Sequence, residues 1–214
     1  MGTKGDPPHM AASSSSDPKD RLRSLFPGTL TSTVVEASRD SRDLSSDVMV
    51  ARLEVEDLRD PEFLQALVYW HMRRGARAMP ARSDLDPMEL AKILSKVMLV
   101  DVLPEAPHFR YRVFSTTIAD WMKFDATGQT LDAIKPENYR KMLFATYMEC
   151  VGARTPIAHR VLWDTKDVPH RYKRLMMPLA TDGKRVDMLL ITSVSEAFDE
   201  ASAFWRNLGG ATRY

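Results

Sequence analysis

Two adjacent strand-like runs, a helical stretch, then three more strand-like runs: this order constrains the fold of the chain more than any other feature. The first run is Val97-Met98-Leu99-Val100-Asp101-Val102-Leu103 and the second is Phe109-Arg110-Tyr111-Arg112-Val113-Phe114, with a turn over Pro104 to Pro107 between them. In the second run Phe109, Tyr111 and Val113 point one way and Arg110 and Arg112 the other, because successive side chains alternate along a strand. The third run sets Ile157, His159, Val161 and Trp163 against Ala158, Arg160 and Leu162. Arg171 to Leu179 and Asp187 to Ser195 complete the set. Asp182-Gly183 between them predicts a tight hairpin, since Gly accepts positive φ without steric cost. The pattern predicts an α+β fold, one antiparallel sheet with helices gathered on one face.

Helix signals fall around and between these runs. Asp60-Pro61-Glu62 is a start: Asp caps free N–H groups, Pro suits the first position and Glu complements the dipole. Phe63, Leu67 and Trp70 form one apolar stripe, Leu64, Val68 and Met72 an adjacent one, and Gly75 is a fitting stop. Asp86-Pro87 repeats the start signal, with Leu90, Ile93 and Leu94 as the buried face of a short helix. Ile118, Trp121 and Met122 mark another after Ser115-Thr116. Pro136-Glu137 opens a longer helix whose stripe is Tyr139, Met142, Leu143, Thr146, Tyr147 and Cys150, ending at Gly152. Phe198, Ala201, Trp205 and Leu208 predict a C-terminal amphipathic helix.

The chain therefore divides into a disordered N-terminal arm (1–45), a linker or short element (46–60, helix or strand), one domain (61–198) and a C-terminal helix and tail (199–214). The arm is rich in Ser, Pro, Asp and Gly and cannot bury enough apolar surface to offset ordering entropy. Thirty basic and 29 acidic residues leave a net charge of +1, with no general attraction to nucleic acid or anionic lipid. The basic run Arg171-Tyr172-Lys173-Arg174 is split between two strand faces and reads as a solvated surface. No run reaches the roughly 20 apolar residues of a bilayer span. Cys150 is the only cysteine, which fits a reducing, cytoplasmic setting.

Asp101 is a carboxylate in an apolar strand. Its readings are an ion pair with Arg110 or Arg112, or a polar anchor inside a ligand cavity. His159 is the one histidine expected to face the sheet. Tyr111, Trp121, Tyr147 and Trp163 are candidate pocket walls, and equally candidate core. The candidate pocket is thus Asp101, Tyr111, Trp121, Tyr147, His159 and Trp163. Cys150 lies on an apolar stripe and reads as a small buried hydrophobe. No metal spacing, phosphate loop or nucleophile elbow is present, so a non-enzymatic role is expected. Two other readings stay open: an enzyme with Asp101 and His159 as an acid–base pair, and an adaptor whose core is filled solid.

Met79-Pro80-Ala81-Arg82-Ser83-Asp84-Leu85-Asp86-Pro87, Met98 to Val102, Phe109-Arg110-Tyr111-Arg112 and Asp125-Ala126-Thr127-Gly128-Gln129-Thr130-Leu131, in this order, resemble the bacterial PAS-like family of short, often stand-alone proteins. The resemblance covers about residues 61 to 198. It implies five strands in spatial order 2-1-5-4-3, counted from Val97, with helices on one face around a small-molecule cavity. It also implies a sensory or protein-interaction role. Gln129 departs from the family pattern, where a basic residue is usual. The flavin-binding members carry an Asn-Cys-Arg motif that this chain lacks. Haem members usually place an axial His on the helices between the second and third strands, and residues 116–152 contain no His. The ligand is therefore unknown, with haem and flavin disfavoured. The expected partner is a separate signalling protein. Homodimerisation is expected through the Phe63, Leu67 and Trp70 stripe, with Phe198 and Trp205 as a second candidate interface.

Overall fold

The computed structural model describes residues 46–90, 96–106, 108–165 and 169–196. The N-terminal arm, Ile93 and Leu94, and the C-terminal stripe with Phe198, Ala201, Trp205 and Leu208 lie outside the described residues.

Six antiparallel strands form one sheet: β1 (Ser46–Leu53), β2 (Val97–Val102), β3 (Phe109–Val113), β4 (Ile157–Thr165), β5 (Pro169–Leu179) and β6 (Met188–Ser195). Their spatial order is β1-β4-β5-β6-β2-β3. The five expected strands keep their expected order, and β1 adds a sixth at the β4 edge. It pairs along its whole length, from Ser46 opposite Thr165 to Leu53 opposite Ala158. The β5–β6 connection is wider than a two-residue hairpin, since the last register pair is Leu179 with Met188. Asp182 makes a turn of its own there: Oδ1 accepts from Lys184 N and Arg185 N at 2.8 Å, and Gly183 takes φ +67°.

Three α-helices are described: α1 (Pro61–Arg74), α2 (Thr116–Met122) and α3 (Glu137–Ala153). The whole expected stripe of α3, Tyr139 through Cys150, is buried. This helix runs one residue past Gly152 and stops at Arg154, which takes the left-handed conformation at φ +59°. Asp60 occupies the cap position of α1 but makes no cap hydrogen bond. Both its oxygens instead accept from Lys173 Nζ at 2.6 Å. The expected helix at Asp86 is described only as a turn to Leu90, whose N–H donates to Asp86 O at 3.3 Å.

The alternation of β5 fixes which helix covers which face. Tyr172 and Arg174 bond to Tyr139 and Thr146 of α3, whereas Lys173 reaches Asp60 at the head of α1. So α3 lies on an inner face and the flanking helix α1 on the outer one. Trp70 of α1 donates from Nε1 to Pro178 O at 2.9 Å. Burial on both sides explains why β2, Asp101 apart, and the first half of β6 are continuously apolar rather than alternating. Each large side chain enclosed under α1, such as Phe63 or Trp70, contributes roughly 2–3 kcal/mol of transfer free energy.

The family-like segments are structural clips. Asp84 Oδ2 accepts from Ala81 N at 2.7 Å and Arg77 Nη2 at 2.6 Å, and Pro80 O accepts from Ala180 N at 2.9 Å. That ties the exit of α1 to the end of β5.

Candidate ligand cavity

A cavity of about 480 Å³ lies between the inner face of the sheet and helices α2 and α3. Its strand side is Met98, Tyr111, Tyr172, Arg174 and Ser193, and its helix side includes Ile118, Trp121, Leu143 and Tyr147. Tyr111 is held in place by the loop after α2. Gly128 N donates to Tyr111 O at 2.7 Å and Tyr111 N donates to Gln129 O at 2.9 Å, which needs the φ of +79° that Gly128 supplies. Asp125 shapes this loop by accepting from Thr127 N and Oγ1 at 2.8 and 2.7 Å.

Four buried tyrosines surround the space in two pairs. The hydroxyls of Tyr139 and Tyr172 are 2.8 Å apart, and those of Tyr111 and Tyr147 are 3.3 Å apart. Burial pushes all four phenols above their ordinary range, so they are neutral donors at physiological pH. Arg174 stands among them and is 1% exposed. Its Nη2 donates to Thr146 Oγ1 at 2.7 Å, and its guanidinium lies 5.4 Å from the centre of the Tyr147 ring. Burial opposes its charge, but the oxygens of Tyr172, Tyr147, Tyr139 and Tyr111 outweigh this and hold it above the usual arginine range.

Of the residues expected to form a pocket, Tyr111, Trp121 and Tyr147 line the cavity. Trp163 stands behind the wall, stacked on Tyr139 with ring centres 4.1 Å apart and edge-on to Trp121 at 5.8 Å. Asp101 is not part of it. It lies on the outer face, where Oδ2 accepts from Arg110 Nη2 at 2.9 Å and Oδ1 from Arg112 Nε at 2.8 Å. The ion-pair reading of Asp101 is the correct one, with both arginines as partners. His159 is on the inner face but away from the cavity lining, bonded through Nε2 to Glu149 Oε2 at 2.9 Å. Burial lowers the pKa of His159 despite Glu149, which itself is held by Arg52 Nη1 at 2.5 Å. The β4 and β2 strands are separated by β5 and β6, roughly 14 Å across the sheet. Asp101 and His159 thus sit on opposite faces and do not assemble an acid–base pair.

The expected interface stripe is also corrected. Phe63, Leu67 and Trp70 are buried within their own domain, so they are not a free surface. The neighbouring Leu64, Val68 and Met72 are the exposed apolar positions of α1. Phe198 and Trp205 lie outside the described residues. Cys150 is a buried free thiol, pushed up to about 12 by burial, with Sγ 3.7 Å from Met176 O. Sequence reasoning missed Arg174, Ser193, Tyr139 and Tyr172. The available signal was the shared strand face of Tyr172 and Arg174, running into the apolar Leu175-Met176-Met177. The solvated-surface reading of the basic run fails at Arg174.

A single antiparallel sheet, with helices between its third and fourth strands closing a cavity over one face, defines a cavity-bearing α+β domain. The chain belongs to the PAS domain family, whose model matches residues 58–191. Strand β1 precedes the matched stretch. PAS domains generally serve as sensory and signalling modules. Among solved structures, the chain is similar to one from work on a flavin analogue and the mechanism of a light-oxygen-voltage domain. That match has 15% identity, covers 56% of this chain and 90% of the other, and has a TM-score of 0.43. An RNA-binding light-oxygen-voltage receptor matches at 14% identity, over 55% of this chain and 36% of the other, with a TM-score of 0.33. No curated protein matches the sequence. Among the described residues no helix is long and apolar enough to cross a membrane.

Proposed function

We propose that this PAS domain is a non-enzymatic sensory module. It takes a small molecule into the inner-face cavity and signals to a separate protein through the segments that flank the sheet. The cavity carries the reading. Its volume of about 480 Å³ falls within the range of small-molecule sites, and its wall joins apolar surface to a few convergent polar groups. The lone, buried Cys150 suits a reducing cytoplasm.

Two features supply a route for the signal. Helix α2 has seven residues, none of them fully buried, and forms one cavity wall through Ile118 and Trp121. Strand β6 runs beneath the cavity to Ser195, and Ser195 and Glu196 belong to its lining. The chain beyond residue 196 therefore begins at the ligand.

Native mass spectrometry of the purified full chain, set against its denatured mass, tests this. An extra mass that is lost on denaturation supports an occupied sensor. A bare mass, with no mass gained from a metabolite extract, contradicts it.

A further inference from the structure

Resting on the reading of the cavity as a ligand site, we propose that its ligand is a small organic anion: a carboxylate on an apolar or aromatic body, with the carboxylate held by Arg174. The first ground is charge. Arg174 is almost fully enclosed, and no Asp or Glu lies within ion-pair distance of it among the described residues. Its strongest polar contact, Thr146 Oγ1, is neutral and also within bonding distance of Met142 O at 2.9 Å and Leu143 O at 3.1 Å. A buried ion is costly unless something of opposite charge meets it. The other charged groups at the cavity are engaged: Lys96 with Glu62 at 2.8 Å, Glu196 with Arg160 at 2.7 Å, and Arg171, which also has a partner of its own. One free guanidinium matches a monoanion.

The second ground is the hydrogen-bond ledger. Arg174 Nε is buried and has no partner. Ser193, directly opposite Arg174 in the β5–β6 register, has a buried Oγ with no partner. Each tyrosine carries one O–H donor. Each tyrosine pair shares one hydrogen bond, so one hydroxyl proton per pair is left over. All these residues line the same cavity. The site is rich in donors, and the one carboxylate among its described lining residues, Glu196 at the end of β6, sets its charge against Arg160 rather than Arg174. A carboxylate accepts at about four lone-pair positions and would use these surplus donors. Beside them, Phe114, Ile118, Trp121, Ile134 and Leu143 offer apolar surface for the rest of the molecule.

The test is calorimetric titration of the full chain with benzoate, 3-phenylpropionate and 1-naphthaleneacetate, each beside its neutral amide. The proposal predicts that at least one acid binds about tenfold or more tightly than its own amide. Arg174→Met brings that ratio to within about twofold and leaves amide binding in place, while Arg174→Lys retains part of the preference. If Arg174→Met does not fold, the wild-type ratio and Arg174→Lys decide the matter. Acids that bind no better than their amides overturn the anion and leave the cavity reading standing. So does an acid preference that survives Arg174→Met. No binding by any acid or amide, with a bare native mass, overturns both.

Discussion

Both faces of β5 are covered by a helix, the inner one more completely, and they are built to different ends. On the outer face, Leu175, Met177 and Leu179 are buried toward α1, and Lys173 is tied to Asp60 at the head of that helix at 2.6 Å. On the inner face, Tyr172, Arg174 and Met176 meet α3, a cavity remains, and Arg174 has no carboxylate partner among the described residues. Lys173 and Arg174 are consecutive, yet one cation completes a structural contact and the other stands ready for a group from outside. A domain can thus keep its stability on one side of a sheet and its binding capacity on the other.

The sharpest break in this contrast comes from truncating the outer anchor. Trp70→Ala removes a 2%-exposed side chain and its bond to Pro178 O, and is expected to lower unfolding free energy by about 3–5 kcal/mol in urea titration. Adding volume probes the same difference from the other direction. Ala66→Leu, in the packed face of α1, is expected to cost about 1–3 kcal/mol by overpacking. Ser193→Val, which points new volume into the cavity, is expected to stay within about 0.5 kcal/mol of wild type and to weaken ligand uptake.

A smaller effect belongs to the inner face beyond the cavity. His159 has a lowered folded pKa because burial disfavours its charged form. The unfolded chain therefore binds more protons once the pH falls below the ordinary histidine range. Stability is expected to be complete above about pH 6.5 and to decline on acidification, by at most about 1.4 kcal/mol per pH unit from this group. His159→Gln should flatten the slope between pH 7 and pH 5 in thermal denaturation, the pH range being roughly that of histidine titration. An unchanged slope would assign the decline to His71 or His170, which are lowered by burial as well.

Much of the fold is legible in the residues. The two-residue alternation of β3 and β4 and the apolar stripe of α3 each point to the observed element. Strand β1 is not legible, because what makes it a strand is β4, where Val48 meets Trp163 across more than a hundred residues. The site is legible only in part. Tyr111, Trp121 and Tyr147 belong to stripes that face inward whether the core is solid or hollow. Tyr, Trp and Met fill both kinds of core, so the cavity itself leaves no mark in the sequence. Asp101 shares a strand face with Val97 and Leu99, but with both faces apolar nothing local says which one holds the cavity. Arg174 is hidden by its neighbours, since Arg171 and Lys173 give it the look of a solvated run.

The measurement that bears most directly on the two-faced strand is a pair of urea titrations, Lys173→Met and Arg174→Met, on the ligand-free protein. Lys173→Met strands Asp60, which is only 14% exposed, and is predicted to cost about 1–3 kcal/mol. Arg174→Met replaces a buried, unpaired cation with an apolar chain, and is predicted to be neutral or stabilising by about 1 kcal/mol. A loss of about 3 kcal/mol or more in Arg174→Met would contradict the account, because it would make Arg174 a structural cation like its neighbour.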